Sequence, residues 1–405
     1  RGARGLFALG LLSAVVGVAW DGFTRANGPK QRFQRALFAL ANDDLERAQA
    51  ELFHLKDLPD YQPHAALISG VLLLQERKLA AALEEFQSAV EHDDTRALAW
   101  TLAGRALLEQ RRFQAAEHAF LTALSYEPGF AEAHRGLAGA YFKVGDMPKA
   151  MGYLQGAAAA SPHDPRPARF MATIARSAGQ IQEATEFLQE TLRRDDEGWM
   201  RLHWEARQEV LLELGQLQSE LLHHAEALET LRELAETPAV LSLRAECHYA
   251  VGEVEAAQGC LTRALELDPQ HSKSWLLQGR LALDANDLER ALESLNRALE
   301  RRPLDVAVHH ALAQTYFRVG RESVGRQHAQ RAQELRNLSE EFETMNQQVM
   351  HQPQDAALCF KLGLMAEQLG RESMAEYWYR AVLLLDPQHE EAAVCLARLA
   401  GPPPP

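Results

Sequence analysis

Apolar residues recur along the chain at the spacing of three and four that is typical of amphipathic helices. Within this pattern a small Ala is followed four residues later by Phe or Leu, and three residues after that by Ala, Leu or Thr. The motif begins at five alanines that lie 34 residues apart, namely Ala48, Ala82, Ala116, Ala150 and Ala184. A fixed period of this length predicts an array of repeats, in which small residues let paired helices approach and the bulky residue fills the gap.

One repeat is most complete between residues 97 and 130. Its characteristic residues are Trp100, Gly104 and Leu107 on a first helix, Ala116, Phe120 and Ala123 on a second helix, and Pro128 at the end. This arrangement resembles the tetratricopeptide repeat, with Ala103 where that family usually has Leu and Leu107 where it usually has Tyr. The resemblance implies an all-α fold, a right-handed superhelix (α-solenoid) of about ten helix-turn-helix repeats.

Two departures from the period divide the array. The interval from Ala184 to the next equivalent alanine, Ala227, is 43 residues, which predicts an irregular insertion and a hinge or subdomain boundary. No Pro or Gly occurs from Arg326 to Gln352, so the second helix of repeat nine should run past its normal end. Repeats should begin near residues 29, 63, 97, 131, 165, 208, 238, 272, 306 and 356. The predicted segments are 1–27 (signal-anchor or signal peptide and linker), 28–198 (repeats one to five), 199–337 (insertion and repeats six to nine), 338–355 (extended helix), 356–389 (repeat ten) and 390–405 (capping helix and Pro-rich tail).

The N-terminal segment at residues 5–20 is apolar and carries no charge over its sixteen residues. Its length lies between the core of a signal peptide and a full membrane span. We interpret it as a retained membrane anchor, because it is long for a signal peptide and because Trp20 and Phe23 could sit at the membrane interface. Signal cleavage and an apolar helix packed on repeat one are the alternatives. The repeats are expected to be extracytoplasmic, either membrane-anchored or exported after cleavage.

Charge, composition and the lack of known motifs argue against several classes of function. The formal net charge is −14 with acidic residues spread along the chain, so we expect no binding to nucleic acid. The sequence contains no motif typical of nucleotide binding, zinc peptidases, serine hydrolases or calcium loops, so we expect neither an enzyme nor a cofactor. The adjacent histidines at 223/224 and 309/310 point in different directions on a helix, and no metal site is predicted. The cysteines should be buried thiols, with a disulfide between Cys247 and Cys260 as the alternative.

The family resemblance places any binding site on the exposed faces of the first helices, which line a concave groove in tetratricopeptide proteins. In repeats three to five this face carries six cations: Arg105, Arg135, Lys143, Arg166, Arg169 and Arg176. Glu209, Glu213 and Glu220 follow on the same face of repeat six, so the groove is expected to change sign there. The cations either bind an acidic or C-terminal peptide segment or are ordinary solvated side chains, and both interpretations stay open.

A second apolar stripe occupies the predicted extension of repeat nine. Its members follow one another at spacings of three and four: Leu335, Leu338, Phe342, Met345 and Val349. We expect this stripe to cover the first helix of repeat ten, with a coiled-coil-like dimer contact as the alternative. The oligomeric state therefore remains open.

The sequence as a whole predicts a non-enzymatic scaffold at a membrane that binds partner proteins or peptides. The chaperone-binding clamp of some tetratricopeptide proteins is not expected, because Leu37, Val71, Gly139 and Thr173 stand at places where the resemblance requires Asn. An N-terminal anchor followed by repeats is similar to a bacterial family that regulates lipopolysaccharide assembly, but the paired-cysteine module of that family is not found. The alternatives are the substrate-recognition region of a larger enzyme, such as a glycosyltransferase, and a soluble exported assembly factor.

Overall fold

The computed structural model describes residues 28–194, 204–351 and 354–399, and these ranges contain 21 α-helices, one short 3-10 helix and no strand. The prediction of an all-α fold is confirmed. The chain divides into two compact units, Arg1–Leu221 and Leu222–Pro405. The sequence placed a boundary near residue 198, in a stretch that lies outside the described ranges.

Within the described ranges, unit 1 contains five helix pairs, in each of which the first helix lies antiparallel to the second, followed by one further first helix. Its helices are α1 (Pro29–Ala41), α2 (Leu45–Leu55), α3 (Gln62–Gln75), α4 (Leu79–Ala89), α5 (Asp93–Glu109), α6 (Phe113–Tyr126), α7 (Ala131–Lys143), α8 (Met147–Ala160), α9 (Arg166–Ser177), α10 (Ile181–Arg194) and α11 (Trp204–Glu220). A 3-10 turn at Pro59–Tyr61 precedes α3.

Unit 2 continues the same pattern and ends on an unpaired helix. Its helices are α12 (His224–Arg232), α13 (Pro238–Ala250), α14 (Val254–Leu267), α15 (Ser272–Asp284), α16 (Leu288–Arg301), α17 (Val306–Arg318), α18 (Glu322–His351), α19 (Ala356–Gln368), α20 (Glu372–Leu385) and α21 (Glu390–Leu399). The first helices begin close to the predicted residues. The largest differences are α5, which starts at Asp93, and α11, which starts at Trp204.

The turn inside most repeats has the same backbone geometry. One residue of the turn adopts positive φ, and the following N–H donates to a carbonyl five residues back, as in Asp146 N to Tyr141 O at 2.9 Å. Gly145 and Gly320 occupy the positive-φ position in two of these turns, whereas Arg111 occupies it in another at φ 59°. A left-handed conformation costs a side chain with a Cβ about 1–2 kcal/mol, so the arginine turn is strained.

The helices of a repeat pack through the small and large residues that define the motif. Phe120 of α6 is almost fully buried, and its ring lies against Gly104 of α5 and Gly136 of α7. A Cβ added to these glycines would lie 2.8 Å and 2.2 Å, respectively, from Phe120 Cε1. The small residues therefore let one aromatic ring join two successive repeats, which explains the sequence period physically.

Some turns between successive repeats are closed by a side chain of the next first helix. A ring N–H lies within hydrogen-bond distance of the carbonyl of the proline six residues earlier, at 2.9 Å for His134 and Pro128 and at 2.8 Å for Trp275 and Pro269. Because a carbonyl oxygen only accepts, the ring nitrogen of His134 must carry the proton in this contact. These bonds fix the start of the first helices in which they occur.

The long helix α18 spans 30 residues and carries the second apolar stripe. Phe342, Met345 and Val349 are buried against a cluster that includes Leu362 of α19 and Tyr379 of α20. Leu338 packs partly buried against the same cluster, and Leu335 is buried nearer the middle of α18. In the isolated chain the stripe thus lies in the core of unit 2.

The remaining expectations concern the cysteines, the N-terminal apolar segment, the insertion and membrane crossing. No disulfide joins Cys247 to Cys260, so that alternative is not realised. The apolar segment at residues 5–20 and the insertion at 195–203 lie outside the described residues. Among the helices in the described ranges, none combines the length and apolar character needed to cross a membrane.

Candidate functional site

The predicted cationic face contains a buried charge network, which we call the arginine cluster. Its members are the guanidinium groups of Arg105, Arg135 and Arg166 and the carboxyl groups of Glu132 and Asp164. They come from α5, α7 and the start of α9, which are the first helices of three successive repeats. The repeat spacing therefore gathers charges that lie far apart in the sequence.

Asp164 stands at the centre of this cluster. Its Oδ1 accepts from the backbone N–H of Arg166 at 3.0 Å, and its two oxygens accept from Arg166 Nε at 2.7 Å and Nη2 at 2.8 Å. This is the two-pronged contact that a guanidinium makes with a carboxylate. Arg135 Nη1 lies 4.0 Å from Asp164 Oδ2, so a single carboxylate faces cations from two repeats.

Glu132 lies deeper and links the same two arginines. Its Oε1 is 3.7 Å from Arg135 Nη2 and 3.7 Å from Arg166 Nη2. The residue is 2% exposed, so little water screens these charges. Carboxylates and guanidinium groups in such surroundings interact strongly but give up most of their hydration.

The pKa values record this loss of hydration. Burial raises the pKa of Glu132 above its usual value, despite the opposing charges of Arg135 and Arg166. Burial also raises the pKa of Asp164, but the hydrogen bonds and charge of Arg166, together with Arg135, outweigh it and hold that pKa below its usual value. The two carboxyl groups of one cluster are thus displaced in opposite directions.

Arg135 is the most perturbed cation of the cluster. Burial, followed by repulsion from Arg166, lowers its pKa to about 10, although Asp164 and Glu132 act in the opposite direction. Burial also lowers the pKa of Arg105, which lies 3.8 Å from Glu109. The carboxylates of the cluster therefore only partly compensate for the hydration that Arg135 loses on burial, and a further anion beside its guanidinium group would favour the charged form.

The remaining predicted cations lie in different surroundings. Arg169 binds Glu209 at 2.7 Å and Arg176 binds Glu213 at 2.9 Å, both between α9 and α11. Two of the three glutamates that were expected to reverse the sign of the groove, Glu209 and Glu213, instead neutralise the last two arginines, and Glu220 is exposed at the end of α11. Lys143 is exposed at the end of α7, apart from the cluster.

Sequence reasoning named the arginines but missed Glu132 and Asp164. Two local signals were available. Glu132 precedes Arg135 by one helical turn, and Asp164 stands two residues before Arg166 at the start of a first helix, where an acidic residue commonly caps the backbone.

The geometry suits the binding of an anion better than catalysis. The polar groups of the cluster are guanidinium donors and carboxylate acceptors, and no nucleophilic side chain belongs to it. Guanidinium groups held in fixed positions match the planar oxygens of a carboxylate or phosphate.

Comparison with protein families identifies the repeats. One model of the tetratricopeptide repeat matches residues 101–165, 242–306 and 276–340, and a second matches residues 356–389. The chain contains tetratricopeptide repeats. The first matched segment includes every member of the arginine cluster except Arg166. No curated protein sequence matches the chain.

Solved structures show only partial overlap with this chain. The structure titled for PilF of Pseudomonas aeruginosa is 20% identical, with a TM-score of 0.41, and the match covers 55% of this chain and 99% of that one. MamA is 16% identical with a TM-score of 0.34, covering 45% and 97%. YrrB, described as a tetratricopeptide protein with an unusual peptide-binding site, is 19% identical with a TM-score of 0.33, covering 56% and 98%. Overlaps of this size carry no information about a partner.

Proposed function

We propose that the protein is a non-catalytic interaction scaffold and that the arginine cluster of unit 1 binds an acidic segment of a partner protein. The observation that carries this proposal is geometric: the guanidinium groups of Arg105, Arg135 and Arg166 come from the first helices of three successive repeats and meet in one cluster. A carboxylate from a partner would add negative charge beside these cations and favour their charged form. An Asp or Glu side chain or a chain terminus has the required chemistry.

The overall charge of the protein opposes the binding of an acidic peptide. With a formal net charge of −14, the chain repels an acidic peptide at long range. Binding of such a peptide would therefore require a local site of opposite sign. Arg105, Arg135 and Arg166 supply that site from three repeats, so an extended segment could contact more than one of them.

The experiment measures fluorescence anisotropy with a labelled peptide of eight glutamates, against a neutral Gly-Ser peptide of equal length. Arg135→Gln should weaken binding of the acidic peptide roughly tenfold or more, because charge-assisted hydrogen bonds contribute about 1.5–3 kcal/mol. Arg135→Lys should recover part of the affinity, since it restores the charge without the guanidinium geometry. Added salt should weaken binding of the acidic peptide alone.

The matched control is Arg297→Gln, which removes an exposed arginine of unit 2 that pairs with Glu293. Its effect on binding should be negligible. Equal losses in Arg135→Gln and Arg297→Gln would show a general charge effect and contradict the proposal. Unchanged affinity in Arg135→Gln, with the helical content retained by circular dichroism, would also contradict it.

We further propose that residues 5–20 hold this scaffold at a membrane, with the repeats outside the cytoplasm. The support is the uncharged apolar sequence of this segment. Fractionation of cells that express the full chain, with and without residues 5–20, tests the attachment. Release of the intact chain into the soluble fraction would contradict it, and a mature N-terminus beyond residue 20 would indicate an exported factor instead.

A further inference from the structure

Three potential metal ligands meet at the N-terminal ends of two neighbouring first helices. His64 lies in the first turn of α3, His92 immediately precedes α5, and Asp94 lies in the first turn of α5. One ligand atom from each side chain can be chosen so that all three lie within 4.8 Å of one another. The cluster joins repeats two and three of unit 1 and is separate from the arginine cluster.

His64 is the unusual member of this group. The residue is only 4% exposed, and its buried Nδ1 has no hydrogen-bond partner in the part of the chain that the structure describes. A buried polar atom without a partner costs about 1–3 kcal/mol, so such atoms are rare unless a ligand or water supplies the missing contact. This observation is independent of the grouping of the three side chains.

The surroundings of His64 hold its ring in place. Phe33 meets it edge-on with ring centres 4.7 Å apart, Tyr61 lies at 4.9 Å and His92 at 4.8 Å. Aromatic packing alone would account for a buried ring, but a phenylalanine would pack there without the cost of an unpaired nitrogen. The packing therefore explains the position of the ring and leaves its Nδ1 unexplained.

The local chemistry of His92 and Asp94 also suits a cation. The backbone N–H of Asp94 donates to Nδ1 of His92 at 3.3 Å, so in the neutral ring Nε2 carries the proton; a metal bound at Nε2 would shift that proton to Nδ1 and replace this long hydrogen bond. Arg96 pairs with Asp93, which leaves the neighbouring carboxylate of Asp94 exposed and able to offset positive charge.

We propose that His64, His92 and Asp94 form a binding site for one divalent transition-metal ion of the Zn²⁺ type. Two imidazoles and one carboxylate suit Zn²⁺, Co²⁺ or Ni²⁺, whereas Mg²⁺ and Ca²⁺ prefer oxygen ligands. Three protein ligands leave a fourth position of a tetrahedral site for water. The ion would link α3 to α5 and satisfy the buried nitrogen of His64.

The test adds Co²⁺ to the full chain without an affinity tag and records the visible ligand-field absorption. Zn²⁺ is then added to displace the Co²⁺, and calorimetry measures how many ions bind per chain. One equivalent should bind and raise the melting temperature. His64→Phe keeps an aromatic ring in the packed position, and Asp94→Asn keeps the size of the exposed ligand. Each variant should weaken Zn²⁺ binding at least tenfold and reduce the absorption.

Two control variants remove histidines elsewhere. His118→Ala changes an exposed residue of α6, and His328→Phe changes a residue of unit 2 whose Nδ1 lies 2.9 Å from Nδ1 of His309. Both should bind Co²⁺ as the unmodified protein does. Absence of ligand-field bands in the unmodified protein would overturn the proposal. So would undiminished one-equivalent binding in His64→Phe or Asp94→Asn, because the ion would then occupy another site.

Discussion

An aspartate precedes a first helix in both units, and its role differs between them. In unit 2, Asp355 accepts from the backbone N–H of Leu358 at 2.9 Å and caps α19. In unit 1, Asp164 accepts from the backbone of Arg166 and also binds the Arg166 guanidinium with both oxygens. The residue two places further on is Arg166 in one repeat and Ala357 in the other. The repeat thus fixes where the carboxylate lies, and its neighbours decide whether it caps a helix or organises cations.

Removal of each aspartate in turn should give the largest difference in lost stability between the two units. Asp164→Ala leaves Arg135 and Arg166 buried with less opposing charge, and loss of one partner from a buried pair costs about 3–5 kcal/mol. Asp355→Ala removes a helix cap and should cost only about 1 kcal/mol. Hydrogen exchange of the full chain measures both effects as the free energy of opening of α7 and α9 or of α19. Similar costs at the two positions would show that Asp164 is no more than a cap.

The pH dependence should separate the two carboxyl groups within the cluster. Glu132 has a raised pKa, so the folded state retains its proton where the unfolded chain has lost it, and the stability it contributes falls as pH rises above its usual 4.5. Asp164 has a lowered pKa, so the stability it contributes is present above its usual 3.8 and is lost as pH falls below that value. Unfolding by urea at several pH values, for Glu132→Gln and Asp164→Asn against the unmodified chain, checks these directions. The assignment would be contradicted if the difference in free energy of unfolding between variant and unmodified chain changed with pH in the same direction for both variants.

Substitution of the positive-φ residue in the turn of a repeat should have opposite effects on stability in the two units. Arg111 in unit 1 has a φ of 59°, and Arg111→Gly should stabilise its repeat by about 1 kcal/mol because glycine adopts this conformation without strain. Gly320 in unit 2 has a φ of 80°, and Gly320→Ala should destabilise its repeat by about the same amount. Thermal unfolding of the two variants provides the measurement. A loss of stability in Arg111→Gly would mean that the arginine side chain makes contacts that outweigh its backbone strain.

The period of small and large residues predicted most of the fold, because close helix packing depends on residue size at fixed spacing. Phe120 illustrates this, since its ring fits only where Gly104 and Gly136 lack a Cβ. The candidate site was less predictable. A helical pattern indicates which face Arg135 occupies but not how deeply it is buried, and depth determines its pairing with Glu132 and Asp164.

No sequence pattern indicated the proposed metal ligands. His64 and His92 are too far apart to form a recognised spacing motif, and only the packing of α3 beside α5 brings them together. Likewise, Glu209 and Glu213 were interpreted as a change in the sign of the charge along the exposed face of the first helices. Their ion pairs with Arg169 and Arg176 depend on the placement of α11 beside α9, across an insertion of irregular length.

The uninterrupted helix α18 has a consequence for how the array could be shortened. At 1.5 Å per residue its 30 residues extend about 45 Å, and one hydrogen-bonded backbone serves both repeat nine and the core of repeat ten. At the other junctions that lie within the described residues, a shorter second helix ends before the next repeat begins, so each of these junctions offers a place to end a shorter protein. A truncation between repeats nine and ten would leave Phe342, Met345 and Val349 on a helix without the core that buries them. The smallest removable module at this end is therefore two repeats, and they should melt together.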